Sequence, residues 1–162
     1  MPLSPGDTLP DVNFVTKTGA DPDVLNSIEL LGKGRAVLFG MPGAFTSTCS
    51  SVHVPSILPA MDAIRAKGVD TVAIVSVNDP FTMEAWGRQN GALDAGILLL
   101  ADPEAKFSEA MGTFTVPERG LINRSIRYVM TTKDGEVDAV QIETGRGTCE
   151  LTGGAAALDL LG

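Results

Sequence analysis

The chain has two cysteines and one histidine, and one of the cysteines stands where a reactive thiol is expected. Cys49 follows an apolar run at residues 36–39 and precedes an amphipathic pattern, so it lies where a predicted strand gives way to a predicted helix. The exposed N–H groups and the positive end of the dipole at a helix start favour a thiolate there. The alternative is an inert, buried cysteine in the first helical turn, and spacing alone does not separate the two.

The residues before Cys49 suit a binding site beside its sulfur. Thr46, three residues earlier, is placed to cap the helix or to offer its hydroxyl to a ligand. Pro42 and Gly43 supply a rigid turn and a bare backbone on which an oxygen atom could rest.

The single histidine, His53, lies four residues after Cys49 and would share a helix face with it. One interpretation is a Cys–His hydrolase pair, in which the imidazole takes the thiol proton. The alternative is a structural histidine that forms a hydrogen bond across the helix. A hydrolase also needs a third group to orient the imidazole, and the sequence singles out none.

Arg124 lies just before another candidate strand, residues 125–130, and Arg127 lies within it. A guanidinium is always charged and offers donors in a fork, which suits both a thiolate and a peroxide. Side chains of unlike parity face opposite sides of a strand, so Arg124 and Arg127 are not expected to reach the same site. We therefore expect Arg124 to be a surface residue.

The second cysteine, Cys149, lies in a Gly-rich loop 149 − 49 = 100 positions from Cys49. The two can be neighbours only through the fold, because a disulfide needs Cα atoms within about 7 Å. An incidental surface thiol is the alternative. Two cysteines and one histidine cannot complete a four-ligand zinc site unless a carboxylate joins, so no metal and no cofactor are predicted.

Composition indicates an ordinary globular chain, and we expect one domain over residues 1–162. The formal charge of −8 argues against nucleic acid or an anionic membrane as a partner. No apolar run approaches the roughly 20 residues that span a bilayer. The N-terminus lacks a basic region followed by an apolar one, so a cytoplasmic location is expected.

The order of predicted elements indicates the fold class. Apolar runs at residues 35–40, 71–77 and 96–101 alternate with helical patterns, and Asp79 is a strong cap for one of these helices. Strands at 126–132 and 136–143, joined by an Asp-Gly turn, precede a C-terminal helix. A β-α-β half followed by a β-β-α half predicts an α/β, thioredoxin-like fold, with a mixed central sheet and helices on both faces.

Residues 42–49 resemble the active-site motif of peroxiredoxins, Pro-x3-Thr-x2-Cys, which Pro42, Thr46 and Cys49 match. The type II (peroxiredoxin V) subfamily usually reads Pro-Gly-Ala-Phe-Thr-Pro-Thr-Cys, so Ser47 in place of proline is a departure. Further segments that resemble this subfamily follow in order along the chain, at residues 77–81, 86–87, 100–103, 124–128 and 134–135.

The resemblance implies a thiol peroxidase that reduces hydrogen peroxide and organic hydroperoxides. Cys49 would attack a peroxide oxygen and become a sulfenic acid. Thr46 and Arg127 would orient the peroxide and stabilise the developing charge. Backbone at Gly43 and Cys49 would contribute, and Pro42 would shield the site from water.

Cys149 falls where atypical two-cysteine members carry their resolving cysteine. It would form an intramolecular disulfide with Cys49, which a thioredoxin-type protein would reduce; otherwise a glutaredoxin or glutathione would resolve Cys49 directly. A homodimer is expected from the same resemblance. A sulfur inside a helical turn cannot pair with a distant loop unless the turn unwinds, so the reduced form should hold the thiols well apart. A redox-regulated binding or chaperone protein is the alternative class of function.

Overall fold

A seven-stranded sheet forms the centre of the computed structural model, which describes residues 2–145 and 147–162. Its strands are β1 (Asn13–Thr16), β2 (Asp23–Asn26), β3 (Arg35–Gly40), β4 (Val69–Ser76), β5 (Leu98–Ala101), β8 (Tyr128–Lys133) and β9 (Glu136–Ile142). The helices are α1 (Ser27–Leu31), α2 (Val54–Ile57), α3 (Met61–Ala66), α4 (Pro80–Gln89), α5 (Lys106–Met111) and α6 (Gly154–Leu161). A separate two-stranded sheet pairs β6 (Thr113–Val116) with β7 (Leu121–Ser125).

The strand order in the large sheet is β2-β1-β5-β4-β3-β8-β9. The pairs β3–β4 and β4–β5 are parallel and the remaining pairs are antiparallel, so the sheet is mixed. The crossovers between parallel strands carry the helices that follow β3 and β4. The predicted thioredoxin-like fold class is confirmed.

Strand β3 is buried on both faces, which explains its continuous apolar sequence. Val37 and Phe39 point into one core, which also contains Cys49 and helices α3, α4 and α6. Ala36 and Leu38 point into the other core, beneath α1 and α5. The predicted bounds of this strand, residues 35–40, agree with the structure.

The chain leaves β3 through a short loop and enters a π-helix at Cys49–His53. The following helix is broken into α2, a 3₁₀ turn at Leu58–Ala60, and α3. Pro55 and Pro59 lie at these joints, as expected of residues that lack a backbone N–H. The result is a short first segment, the four residues of α2, before the chain continues into α3.

The residues before three helices explain where those helices begin. Asn26 caps α1, and its Oδ1 accepts hydrogen bonds from Ile28 N (3.0 Å) and Glu29 N (3.2 Å). Helix α5 begins at Lys106, after Ala105, which adopts a left-handed conformation. The cap predicted at Asp79 is confirmed by a 2.7 Å hydrogen bond from Thr82 N.

The predicted strand at residues 125–130 is wrong as a single element. Strand β7 ends at Ser125 in the small sheet, and β8 begins at Tyr128 in the large one. The two residues between them are therefore free of the alternation that a continuous strand imposes. This break decides where Arg124 and Arg127 point.

The hairpin between β8 and β9 turns at Asp134 and Gly135, both with positive φ (49° and 83°), as an Asp-Gly turn of the type I′ class requires. Strand β9 then leads into the loop that carries Cys149, and α6 closes the chain. Within the described residues, no helix is long and apolar enough to cross a membrane.

Candidate active site

Cys49 lies at the start of the π-helix, with no exposed surface, in the core beneath the sheet. The Nη2 atom of Arg127 lies 3.2 Å from its Sγ and donates a hydrogen bond to it. Arg127 itself is only 3% exposed, so solvent screens this contact weakly. The buried sulfur is therefore in direct contact with a permanent cation.

His53 holds the same guanidinium from the other side. Arg127 Nη1 lies 2.8 Å from His53 Nδ1, and His53 Nε2 lies 2.8 Å from the carbonyl oxygen of Thr152. A guanidinium only donates, so Nδ1 accepts; a carbonyl only accepts, so Nε2 carries the hydrogen. The imidazole is therefore neutral, with its proton on Nε2.

The environment of His53 agrees with that assignment. Burial, followed by the nearby charge of Arg127, lowers the pKa of His53 from 6.5 to about 3, although the Thr152 carbonyl and Glu143 act in the opposite direction. Both ring nitrogens are occupied by partners other than Cys49. The arrangement does not support the Cys–His hydrolase, because the imidazole has no free nitrogen to take the thiol proton.

The loop before Cys49 folds back on itself. The Thr46 hydroxyl donates to the carbonyl oxygen of Gly43 at 2.7 Å, so it does not cap the helix as one of its predicted roles required. Its oxygen keeps lone pairs that can accept a hydrogen bond from a ligand. Pro42 and Gly43 are buried beside it, and Asn78 Oδ1 accepts a hydrogen bond from Ala44 N at 3.0 Å.

Arg124 also reaches this loop, which corrects the expectation that it is a surface residue. The Nη1 atom of Arg124 donates a hydrogen bond to the carbonyl oxygen of Pro42 at 3.2 Å. A Cβ at Gly43 would collide with this Nη1 atom. The two side chains do not follow the alternation of one strand, because Arg124 lies on β7 whereas Arg127 lies in the break between β7 and β8. Arg124 therefore reaches the loop that precedes Cys49, and Arg127 reaches Cys49 itself.

A cavity of about 270 Å³ lies beside the site, and Pro42, Thr46 and Arg127 are among its lining residues. Arg127 connects the cavity to Cys49, because its guanidinium contacts the sulfur. One side of the cavity, here called the rim, comes from β6, β7 and the turn between them: Phe114, Val116, Glu118, Arg119 and Leu121. Three residues predicted for the site thus line one cavity, whose rim carries both apolar and charged side chains.

Cys149 is a half-buried free thiol in the loop between β9 and α6, and Cys49 is also free. Its Sγ lies 3.8 Å from Thr152 Oγ1. Burial raises the pKa of the Cys149 thiol, so the neutral form is favoured. The loop is joined to the Cys49 site through Thr152, whose carbonyl holds His53.

Three features of the site were not expected from the sequence: the roles of Glu143 and Thr152, and the contact made by Arg124. Glu143 follows β9 directly, is 8% exposed, and accepts hydrogen bonds from the loop that carries Cys149. The only sequence feature that could have indicated this role of Glu143 is its position between an apolar strand and a Gly-rich loop. Among residues 2–145 and 147–162, no group of three His, Cys, Asp or Glu side chains could hold a metal ion.

Residues 4–158 match the family model described as Redoxin. The chain is similar to "Peroxiredoxin AHP1" of Chaetomium thermophilum, at 37% identity over 99% of this chain and 96% of that protein. It is similar to "Peroxiredoxin-2C" of Oryza sativa subsp. japonica, at 39% identity over 89% and 90% of the two chains. It also resembles the crystal structure of reduced Prx3 from Vibrio vulnificus in complex with hydrogen peroxide, with a TM-score of 0.88 and 38% identity over 98% and 96% of the two chains.

Proposed function

This chain belongs to the Redoxin family as a type II peroxiredoxin, a thiol-dependent peroxidase, and from that premise we propose which of its residues carry out the reaction. The 3.2 Å contact between Arg127 Nη2 and Cys49 Sγ is the observation that carries the proposal. It is a contact between a fixed cation and the buried sulfur, and the same Arg127 lines the cavity where a peroxide would enter.

In the first step, the Cys49 thiolate attacks one oxygen of the peroxide. The S–O bond forms as the O–O bond breaks, and Cys49 becomes a sulfenic acid. The other oxygen leaves as hydroxide or alkoxide and takes up the proton that the Cys49 thiol released on ionisation, which gives water or an alcohol. Arg127 is placed to stabilise the charge that passes from sulfur to oxygen, and the Thr46 hydroxyl to accept a hydrogen bond from the peroxide. Pro42 lines the cavity and would shield it from water, and the bare backbone of Gly43 leaves room for the Arg124 guanidinium.

In the second step, Cys149 resolves the sulfenic acid. The S–O bond of Cys49 breaks, an S–S bond to Cys149 forms, and the hydroxyl leaves with the Cys149 proton as water. Because Cys49 has no exposed surface, its turn must open before the sulfurs can meet. The link from the Cys149 loop to His53 through Thr152 supports this assignment, since it places the loop beside the segment that must open.

A thioredoxin-type protein is the reductant of the resulting disulfide, and glutaredoxin or glutathione would act on Cys49 directly if Cys149 does not. We propose a homodimer as the working form. Phe45 and Phe81 are 52% and 58% exposed, and Ala44 is tied to Asn78, so the two side chains belong to neighbouring segments beside the site. Apolar side chains at such a position are typical of an interface between subunits.

Stopped-flow consumption of hydrogen peroxide by Cys49→Ser and Cys149→Ser separates the two steps. We expect Cys49→Ser to lose peroxide consumption, and Cys149→Ser to keep the first step while accumulating sulfenic acid. Mass spectrometry after one equivalent of peroxide should detect a Cys49–Cys149 disulfide in the wild type. Full activity of Cys49→Ser would contradict the nucleophile, and persistent sulfenic acid on wild-type Cys49 would contradict the resolving role.

A further inference from the structure

The side chain of Glu143 organises the loop around Cys149. Its carboxylate accepts four hydrogen bonds, from Thr148 Oγ1 (3.3 Å), Glu150 N (3.1 Å), Leu151 N (2.9 Å) and Thr152 Oγ1 (2.9 Å). All four donors lie within three residues of Cys149, on both sides of it. One buried side chain therefore fixes the loop before and after the thiol.

These hydrogen bonds are made to a charged group. Burial raises the pKa of Glu143, but hydrogen bonds from Leu151, Thr152, Glu150 and Thr144 outweigh it and hold the pKa below its usual range. Hydrogen bonds to an ionised carboxylate are roughly twice as strong as those between neutral groups.

The same residue also reaches the Cys49 site. Glu143 N donates to the carbonyl oxygen of Arg127 at 3.0 Å, so the end of β9 is tied to the backbone of the catalytic arginine. On the other side, Thr152 donates its hydroxyl to Glu143 and accepts from His53 through its carbonyl. The loop, His53 and Arg127 are thus connected by an unbroken series of hydrogen bonds that ends on Cys49.

We propose that Glu143 is the positioning residue for the resolving step, holding the Cys149 loop where its thiol can meet the sulfenic acid of Cys49. This inference rests on the proposed role of Cys149. A fixed loop raises the effective concentration of the Cys149 thiol near the sulfenic sulfur, and a mobile loop lowers it. Glu143 touches neither peroxide nor sulfur, so its loss should slow the second step and largely spare the first.

Glu143→Gln tests this while keeping the shape of the side chain. A glutamine has one acceptor oxygen and no charge, and its amide would face donors of the loop. After one equivalent of hydrogen peroxide, we expect disulfide formation to slow by about tenfold, because the variant loses one or two charge-assisted hydrogen bonds. Peroxide consumption should stay within about threefold of wild type. Glu150→Gln is the matched control, because it neutralises an exposed carboxylate in the same loop and should leave both rates unchanged.

A second pair of variants serves if Glu143→Gln does not fold. Thr152→Val removes the hydroxyl that donates to Glu143 and keeps the shape, and Thr152→Ser keeps the hydroxyl. We expect slower disulfide formation in the valine variant and a wild-type rate in the serine variant. A serine variant as slow as valine would mean a packing role and would overturn the inference.

The outcomes separate this inference from the function on which it rests. If wild type forms the disulfide and Glu143→Gln forms it at the same rate, the role of Glu143 is wrong and that of Cys149 stands. If wild type forms no Cys49–Cys149 disulfide, both are wrong. Equal slowing of both steps in Glu143→Gln would also overturn the inference, because it indicates general damage to the fold.

Discussion

Arg127 Nη1 lies 2.8 Å from Nδ1 of His53, so the guanidinium that contacts Cys49 is supported from behind by a neutral imidazole. Two nitrogens of one planar fork are engaged by two different partners. The orientation of the cation is therefore set before a peroxide arrives, which is the preorganisation that electrostatic catalysis requires.

Replacing Arg127 by lysine keeps the charge but loses the fork. An ammonium group is a point charge and cannot contact both Cys49 and His53 in the same geometry. We expect the second-order rate constant for hydrogen peroxide to fall by about 10²-fold, measured by stopped flow, as for loss of one preorganised donor. Arg88→Lys, at an exposed arginine on α4, is the control and should react at the wild-type rate. An unchanged rate in Arg127→Lys would refute the role of the fork.

His53 should make stability depend on pH. The pKa of His53 is about 3 in the folded protein, against 6.5 for a free histidine, so between these pH values the unfolded chain binds one more proton than the folded protein. The free energy of unfolding should therefore be highest above pH 6.5 and fall as the pH drops towards 3, by up to about 1.4 kcal/mol per pH unit from this group.

Urea unfolding at pH 7 and pH 5 tests that dependence in wild type and His53→Gln. Carboxylates contribute equally to both proteins, so the difference between their two slopes isolates the histidine. We expect the variant to lose less stability on acidification. Identical losses in the two proteins would show that His53 titrates normally in the folded state.

The rim of the cavity should influence which peroxides react well. Leu121 lines the cavity, whereas Ile122 next to it on β7 is 57% exposed and does not. We expect Leu121→Ala to lower kcat/KM for cumene hydroperoxide by about tenfold, through lost apolar contact, and to leave hydrogen peroxide within about twofold. Ile122→Ala is the matched control and should change neither value. Equal loss for both peroxides in Leu121→Ala would contradict this role of the rim.

Gly40 should be required for the stability of the sheet. It pairs with Tyr128 across β3 and β8, and a Cβ at this glycine would overlap the tyrosine ring. We expect Gly40→Ala to lower the free energy of unfolding by about 2–3 kcal/mol, as measured by chemical denaturation, because the fully buried ring must move. Gly19→Ala has open space around it and should have a small effect. A stable Gly40→Ala protein would mean that the ring has room to shift.

The sequence predicted best what neighbouring residues determine. The bounds of β3, the cap at Asp79 and the turn at Asp134 each depend on local patterns, and the structure confirms them. The position of Cys49 after that strand follows from the same local reasoning. These features are set by periodicity and side-chain chemistry within a few residues.

What the sequence did not predict depends on contacts between distant segments. Arg124 reaches Pro42, 82 positions away, from β7, which belongs to the small sheet. The sequence did not indicate that the chain passes from this sheet to the large one after Ser125. Glu143 was overlooked because its partners are N–H and hydroxyl groups of a loop, and the sequence does not indicate that this loop folds over the end of β9. Such contacts follow from topology, and a pattern read along one strand cannot supply them.

Cys49 and His53 are the first and last residues of one π-helical turn, whereas Arg127 is anchored next to β8 in the sheet. If that turn opens as proposed for the resolving step, both residues leave the guanidinium in a single event and the Thr152 carbonyl is released with them. We therefore expect the proposed change from attacking peroxide to forming a disulfide to be cooperative. Hydrogen exchange should report it as one opening unit, with the amides of the turn and of the Cys149 loop exchanging together while those of β3 and β8 stay protected.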